Sequence, residues 1–399
     1  MEGKLSSIEN EILIVFNIKK EKRMTKKIII ICYVLSFLHL RTIFPVQNKV
    51  KWLGQIEKHE GYISIINPKE PIYQNNVLNL KEELAFGGRE EKRQKYLMEN
   101  IKQIDIDEQG NFFILDINTK EIRVFDENGD YKSSIGRIGQ GPGEFQWPWM
   151  IHILDHTGIV VLDFLPRKLL YYSLDGIFKK KVNIALYGNC SKFVINAKGD
   201  LIAQFVLNNL GSALKKVNLE AEEIETITKK ENKKTPLLKA ISPKIVWTVN
   251  QDDQILWGIS DRYQIYIYDD KGSLVKKIVK PFKRLKIKKE EKEEFENEIQ
   301  KIFGRRPIPT NFEQEIPKYY PAFQAIYTDE DGKIFVKTYE KNKEGQFYFD
   351  VFDQQGRYLA KIALNTKYQV WKKHKLYSIE LDREGYQVIK RYNVEWKYK

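Results

Sequence analysis

A four-strand pattern recurs along most of this 399-residue chain. In its clearest copies, 104–136 and 151–184, an apolar run, a turn ending in glycine and a second apolar run come first. A polar turn then leads to a third run ending in an aromatic residue, and another turn leads to a fourth. Because glycine supplies the positive φ that tight hairpins need, each copy predicts a four-stranded antiparallel sheet.

Further copies carry the pattern to the C-terminus. They span 193–228, 245–280, 326–364 and 371–396, of which the first and the last are the most degenerate. One such sheet cannot cover both of its faces, whereas sheets stacked around an axis bury them, and a period of about 40–50 residues is typical of that arrangement. The chain is therefore predicted to be all-β, with a six-bladed β-propeller of four-stranded antiparallel blades over 48–399.

The ends of the ring and one interruption need their own explanation. We expect N-terminal strands within 50–85 to complete the blade of 365–397, because this closure leaves no exposed sheet edge. Residues 282–322 break the period, and Phe295, Ile299 and Ile302 have helical spacing there. We predict one inserted amphipathic helix ending at Gly304, with a loop after it, that either carries binding or packs on the propeller side.

The junction 136–163 resembles the NHL repeat of bacterial six-bladed propellers. The residues that match are Gly139, Gly141, Pro142, Gly143, Phe145, Pro148, Gly158 and Asp163, with Asp107, Gly110, Asn111, Asp116, Phe125, Asp126 and Gly129 in the first blade. The resemblance covers about 50–397 and implies the propeller fold. It leaves the function open, since this architecture serves lyases, lactonases, RNA-binding proteins and scaffolds.

The N-terminal residues resemble an export signal. Lys26 and Lys27 precede an uncharged apolar run, 28–40, which suits a signal peptide and is short for a membrane span. We predict that 1–47 are leader and signal peptide, that translation starts at Met24, and that the protein is periplasmic or secreted. The usual small-residue cleavage pattern is missing, so an uncleaved signal that tethers the protein to a membrane is the alternative.

Charge and cysteine content restrict the partners. The formal net charge is +13, but lysine is spread through turns and outer strands rather than gathered in one tract. We therefore expect a solvated basic surface and no nucleic-acid partner. Cys32 lies in the signal, so Cys190 is alone in the mature chain and is expected to be a buried, unreactive residue.

No catalytic motif stands out. The glycines of 139–143 lack the features of a phosphate loop, and there is no Gly-x-Ser-x-Gly elbow. His152 and His156, with Asp155 between them, would be about 13 Å apart on a strand, too far for one metal ion. Asp107, Asp126, Asp175 and Asp270 fall in turns, where Asp binds the local backbone. The sequence requires no cofactor.

One mouth of the propeller is the best candidate site, because the loops entering the inner strands converge there. We place seven residues at this mouth, since aromatic side chains with Arg suit binding: Arg137, Gln140, Trp147, Trp149, His152, Tyr319 and Tyr320. For Trp147 and Trp149 the alternative is a wedge between blades.

These observations favour a monomeric binding scaffold over an enzyme. The expected partner is a protein, peptide or glycan outside the cytoplasm. The alternative is a metal-dependent enzyme, lactonase- or lyase-like, with a Ca or Zn ion in the central channel.

Overall fold

The computed structural model describes residues 51–398 except 75, 76, 90, 92, 99, 155, 208–210, 305, 314, 366 and 367. The predicted leader and signal, and the start at Met24, lie outside the described residues. In the described part, twenty-six strands form six sheets. Three strands precede the first blade: β1 (Gln55–Lys58), β2 (Ile63–Ile66) and β3 (Leu78–Gly87).

Each blade then follows in chain order, with its first strand innermost. Blade one contains β4 (Ile101–Ile106), β5 (Phe112–Asp116), β6 (Glu121–Phe125) and β7 (Tyr131–Ile135). Blade two contains β8 (Pro148–Leu154), β9 (Gly158–Asp163), β10 (Lys168–Tyr172) and β11 (Phe178–Asn183). Blade three contains β12 (Asn189–Ile195), β13 (Leu201–Leu207), β14 (Gly211–Asn218) and β15 (Glu223–Glu231).

The second half of the ring repeats this order. Blade four contains β16 (Ile245–Val249), β17 (Ile255–Ile259), β18 (Gln264–Tyr268) and β19 (Leu274–Val279). Blade five contains β20 (Ala325–Thr328), β21 (Ile334–Lys341), β22 (Phe347–Phe352) and β23 (Tyr358–Leu364). Blade six contains β24 (Tyr368–Lys372), β25 (Lys375–Leu381) and β26 (Gln387–Trp396), and β3 is its fourth strand. The predicted six-bladed propeller is confirmed.

An N-terminal strand closes the ring as predicted, and that strand is β3 alone. It pairs antiparallel with β26 along its whole length, from Leu78 opposite Trp396 to Gly87 opposite Val388. The β1–β2 hairpin differs from our expectation, because β2 adds in parallel to β19 and extends blade four to six strands. Between them, Tyr73 donates its backbone N–H to Leu359 of blade five at 2.8 Å. The N-terminal segment therefore runs along the outer edges of blades four, five and six.

A recurring turn explains why the repeat is visible in sequence. The Asp107 carboxylate accepts the backbone N–H of Asn111, four residues later, at 2.8 Å, and Gly110 has a φ of 92° that favours glycine. The same arrangement begins at Asp126, Asn196, Asp269, Asp329, Asn342, Asp353 and Asp382. Asp270, which we expected to bind its local turn, instead forms an ion pair with Lys198 at 2.5 Å.

The predicted helix interrupts the ring between blades four and five. This helix, α1 (Lys289–Phe303), ends at Gly304, whose N–H donates to the Gln300 carbonyl at 2.7 Å. Phe295 and Ile299 pack on a buried cluster that includes Leu238, whereas Ile302 is 66% exposed, so the apolar face is narrower than its spacing indicated. Within the described residues, no helix has both the length and the apolar character needed to cross a membrane.

Candidate functional site

The connections of the propeller fall at two ends. Segments between blades and turns between second and third strands share one end, which we call the loop end. The remaining turns form the turn end. Backbone hydrogen bonds show that the two kinds of loop-end connection meet: Phe164 donates to Trp147 at 2.8 Å and Ile117 donates to Asn100 at 3.1 Å. Six of the seven predicted site residues lie in or beside loop-end connections, and His152 is the exception.

Arg137 and Gln140 belong to a tight turn between blades one and two. The Arg137 Nε lies 2.8 Å from the Glu144 carboxylate, which also accepts the N–H of Gly141 at 2.8 Å. These two contacts lower the pKa of Glu144. A Cβ added at Gly139 would lie 1.9 Å from the same carboxylate, so a larger residue there would have to displace the Glu144 side chain. The turn is built around its own carboxylate, and its glycines are structural, as the sequence indicated.

The two tryptophans of this junction have different environments. Trp147 is 48% exposed, and the Lys120 ammonium lies 5.4 Å from its ring centre. The Trp147 backbone N–H donates to the buried Asp163 carboxylate, which fixes the entry into β8. Trp149 is half-buried against the core between blades two and three, with the Lys102 ammonium 3.7 Å from its ring. Trp147 is thus available to a partner, whereas Trp149 acts mainly as an inter-blade wedge.

The inner strands of blades one and two are held together by side chains. Gln103 both donates to the Ile151 carbonyl at 2.8 Å and accepts the Ile151 N–H at 3.1 Å. Asp105 accepts the N–H of Ile153 at 3.0 Å. Burial raises the pKa of Asp105, and the charge of His152 opposes this shift. These polar groups satisfy backbone atoms across the junction, which accounts for the burial of Gln103 and the half-burial of Asp105.

His152 has the same structural role at the next junction. Its Nε2 lies 3.0 Å from the Ile195 carbonyl oxygen of blade three. Lys192 continues the series by donating to the Trp247 carbonyl of blade four, and burial lowers the pKa of Lys192 to about 8. His152 therefore lies within the wall of the ring, deeper than the rim where we predicted it.

Tyr319 and Tyr320 lie on the inserted segment. The Tyr320 ring stacks on Tyr339 with centres 4.7 Å apart, and its N–H donates to the Leu285 carbonyl at 2.9 Å. Tyr319 is 37% exposed. Both residues share the loop end with Arg137 and Trp147, but their connection follows blade four whereas the other follows blade one. Our predicted site is therefore two separate groups on one end.

Exposed apolar side chains concentrate at this end, which the sequence did not reveal. Among the described residues, thirteen large hydrophobic side chains are exposed, and nine lie at the loop end. These nine are Leu97, Ile138, Trp147, Leu165, Leu186, Ile302, Tyr319, Leu381 and Tyr386. Seven of them, all but Ile302 and Tyr319, follow the arc from blade six to the start of blade three. We call these seven the apolar arc.

The turn end has a small cavity between blades five and six. It measures about 40 Å³, room for a few water molecules, and its walls include Asp329, Glu330, Asp331, Trp371 and Trp396. Its carboxylates are already engaged. Lys333 lies 2.7 Å from Asp331 and 3.4 Å from Asp329, and Glu330 accepts backbone N–H groups of the adjacent turn.

Clustered metal ligands are absent from the described side chains. Within the described ranges, no group of three or more His, Cys, Asp or Glu residues could hold an ion. Asp155, between His152 and His156, lies outside those ranges. Cys190 is buried with its pKa raised by burial to about 12, which makes it a poor ligand or nucleophile.

Solved structures share this fold. A protein from Bacteroides fragilis described as exported is 14% identical, with 84% of this chain and 100% of that chain covered and a TM-score of 0.53. A DUF4221 family member from Bacteroides vulgatus is 13% identical, with 80% and 99% covered and a TM-score of 0.47. The calcium-binding protein regucalcin from Agrobacterium tumefaciens is 10% identical, with 77% and 94% covered and a TM-score of 0.40. At 14% identity the similarity to the Bacteroides fragilis protein shows the fold alone.

The family comparison reaches further than the individual structures. No curated protein matches the chain. A family model described as a six-bladed β-propeller matches residues 91–390, which is most of the sequence and nearly all of the described ring. The chain belongs to the DUF5128 family of six-bladed β-propellers.

Proposed function

We propose that this protein is a non-catalytic scaffold that binds a protein partner through its loop end, outside the cytoplasm. The observation that carries the proposal is the apolar arc. Large apolar side chains grouped on one face lower the free energy of the protein when a partner covers them, and such faces mark interaction sites. Trp147, Leu165 and Leu186, at neighbouring connections of the arc, are 48%, 52% and 67% exposed.

The distribution of the arc favours a protein over a small molecule. Its members belong to several junctions, from Leu381 in blade six to Leu186 after blade two. A small-molecule site would gather a few side chains in one cleft, whereas a protein partner can cover several connections together. The side-chain bonds between inner strands, such as that of His152 to Ile195, support a rigid scaffold for these loops.

The metal-dependent enzyme receives less support. Asp105 and His152, the carboxylate and imidazole side chains of the inner strands of blades one and two, already hydrogen-bond to backbone groups of the next blade. Ion binding would have to break those bonds. We propose the extracytoplasmic location because residues 24–47 have the composition of an export signal.

Site-specific crosslinking in the native host tests the loop end. A photoreactive amino acid at Trp147 or Leu165 should give the same discrete protein adduct. Ile177, 56% exposed in a turn at the turn end, is the matched control and should give none. The double variant Trp147→Ser, Leu165→Ser should abolish the interaction without changing the temperature of thermal unfolding. Equal adducts from all three positions, or none from the loop end, would overturn the proposal.

A further inference from the structure

Two loop-end connections are basic and contain no acidic residue. Segments 232–244 and 280–289 hold ten of the chain's 67 Lys and Arg residues and no Asp or Glu. The first connects blade three to blade four, and the second begins the insertion after blade four. All of blade four separates them in sequence, which is why the chain shows no single basic tract.

The fold brings the two segments together. Leu238 and Ile241 of the first share a buried cluster with Ile287 of the second. The inserted segment holds both, because Thr235 donates its N–H to the Asn311 carbonyl at 2.8 Å and Ile287 donates to the Lys318 carbonyl at 3.1 Å. The exposed basic residues of this joint surface, which we call the lysine patch, are Lys233, Lys234, Lys239, Lys283, Arg284, Lys286, Lys288 and Lys289.

The charges of the lysine patch are largely uncompensated. Lys289 lies 3.9 Å from Glu293, and this is the only salt bridge of the patch within the described residues. A buried cluster that holds like charges side by side maintains a positive potential at the surface. An anionic ligand with several charges would relieve this repulsion, and its binding would release counterions.

The surroundings of the patch favour a linear ligand over a flat one. Helix α1 begins at Lys289, the last residue of the patch, and exposes Glu290, Glu293 and Glu294. An anionic membrane surface pressed on the patch would also meet these carboxylates, whereas a chain-like polyanion can follow the two loops and avoid them. Tyr319, bridged to Lys286 through the backbone and 37% exposed, adds an aromatic face beside the charges.

We propose that the lysine patch binds a linear acidic polysaccharide. Sulfate or carboxylate groups contact the lysine ammonium groups, and a sugar ring packs on Tyr319. This site goes beyond the proposed protein-binding function and uses a different part of the loop end. The two proposals can therefore be tested independently.

Titration of the full chain with a heparin oligosaccharide tests the site. The patch variant carries Lys233→Gln, Lys239→Gln and Lys286→Gln. The control carries the same loss of charge on exposed lysines elsewhere: Lys179→Gln, Lys181→Gln and Lys271→Gln. We expect the patch variant to bind about tenfold or more weakly at low salt, with a shallower salt dependence, and the control to bind nearly as wild type.

Two further probes decide the class of ligand. Single-stranded DNA of matched charge and vesicles containing anionic lipid should both bind more weakly than the oligosaccharide, and Tyr319→Leu should weaken oligosaccharide binding. No binding of heparin, equal losses in both triple variants, or tighter binding of DNA or vesicles would overturn the assignment. The double variant Trp147→Ser, Leu165→Ser should retain heparin binding, which separates this site from the protein-binding surface.

Discussion

The Glu330 Oε1 lies 2.6 Å from the backbone nitrogen of His374 and so links a turn of blade five to the first turn of blade six. The second carboxylate oxygen accepts the N–H of Lys373 at 2.5 Å. Lys373 and His374 have φ values of 56° and 53°. Two consecutive N–H groups in this left-handed conformation form a concave site for an anion. Here that anion comes from the neighbouring blade.

Replacing Glu330 with alanine should therefore weaken the junction of blades five and six. We expect Glu330→Ala to lower the free energy of unfolding by about 1–2 kcal/mol, the range for charge-assisted hydrogen bonds at a partly exposed site. Glu344→Ala, at an exposed position of the same blade, is the control and should change it by less than about 0.5 kcal/mol. Urea denaturation measures both, and equal effects would contradict the role of Glu330.

The closing strand should contribute strongly to stability through Phe86. This side chain is 6% exposed and its ring centre lies 4.9 Å from Phe125 and 5.4 Å from Phe112 of blade one. Phe86→Ala should cost about 3–5 kcal/mol, and Phe86→Leu, which keeps most of the volume, less than about 1.5 kcal/mol. Calorimetric unfolding of the three proteins gives the comparison. An alanine variant as stable as wild type would show that β3 is dispensable.

The fold was predictable because its signals are local. Each blade repeats an Asp- or Asn-based turn such as Asp107 to Gly110, and alternating apolar runs flank it. Closure by β3 followed from the need to cover an edge. The parallel addition of β2 to β19 was not predictable, because it joins segments more than 200 residues apart and leaves no turn signal between them.

The candidate site was less accessible to sequence. Trp147 and Tyr319 lie in interblade connections, but no pattern in the sequence shows how far each side chain is exposed. His152 was predicted at the rim because the loops entering the inner strands converge there. Its bond to Ile195 depends on how the inner strands of blades two and three align, which the sequence does not show. The lysine patch was missed for the same reason, since only tertiary packing joins its two segments.

The half-buried Asp105 should give the protein a recognisable pH dependence. Burial raises the pKa of this carboxyl, so the folded state holds the proton more tightly than the unfolded state does. Its contribution to stability is present below the unfolded pKa of about 4 and is lost as pH rises through the folded pKa. Relative to Asp105→Asn, the wild type should lose stability as pH rises above about 4. Urea titrations at several pH values test this, and a wild type that keeps or gains stability relative to Asp105→Asn as pH rises would contradict it.

Cys190 should be inert in the folded protein. Its side chain is 2% exposed, and burial raises its pKa to about 12. Because the thiolate is the reactive form, a Cys32→Ser chain should react negligibly with a thiol reagent at neutral pH and fully once denatured. Absorbance of the released chromophore reports both states. Rapid labelling of the native chain would show that blade three opens.

The buried carboxylate of Asp350 joins blades four and five. It accepts the hydroxyls of Tyr263 and Tyr358, each at 2.6 Å, and the Lys280 ammonium lies 3.3 Å away. Asp350→Ala would leave these groups without their shared acceptor, so we expect a loss of about 3–5 kcal/mol. Tyr263→Phe removes one donor only and should cost about 1 kcal/mol.

The double variant separates a shared network from independent contacts. Once Asp350 is alanine, the Tyr263 hydroxyl has lost its acceptor, and removing it should cost nothing further or restore some stability. The two losses should therefore fall short of additivity by about 1 kcal/mol or more in a double-mutant cycle measured by urea denaturation. Tyr263→Phe combined with Glu344→Ala, an exposed side chain outside this network, should be additive. Full additivity of the Tyr263 and Asp350 changes would mean that the hydroxyl and the carboxylate do not stabilise the junction together.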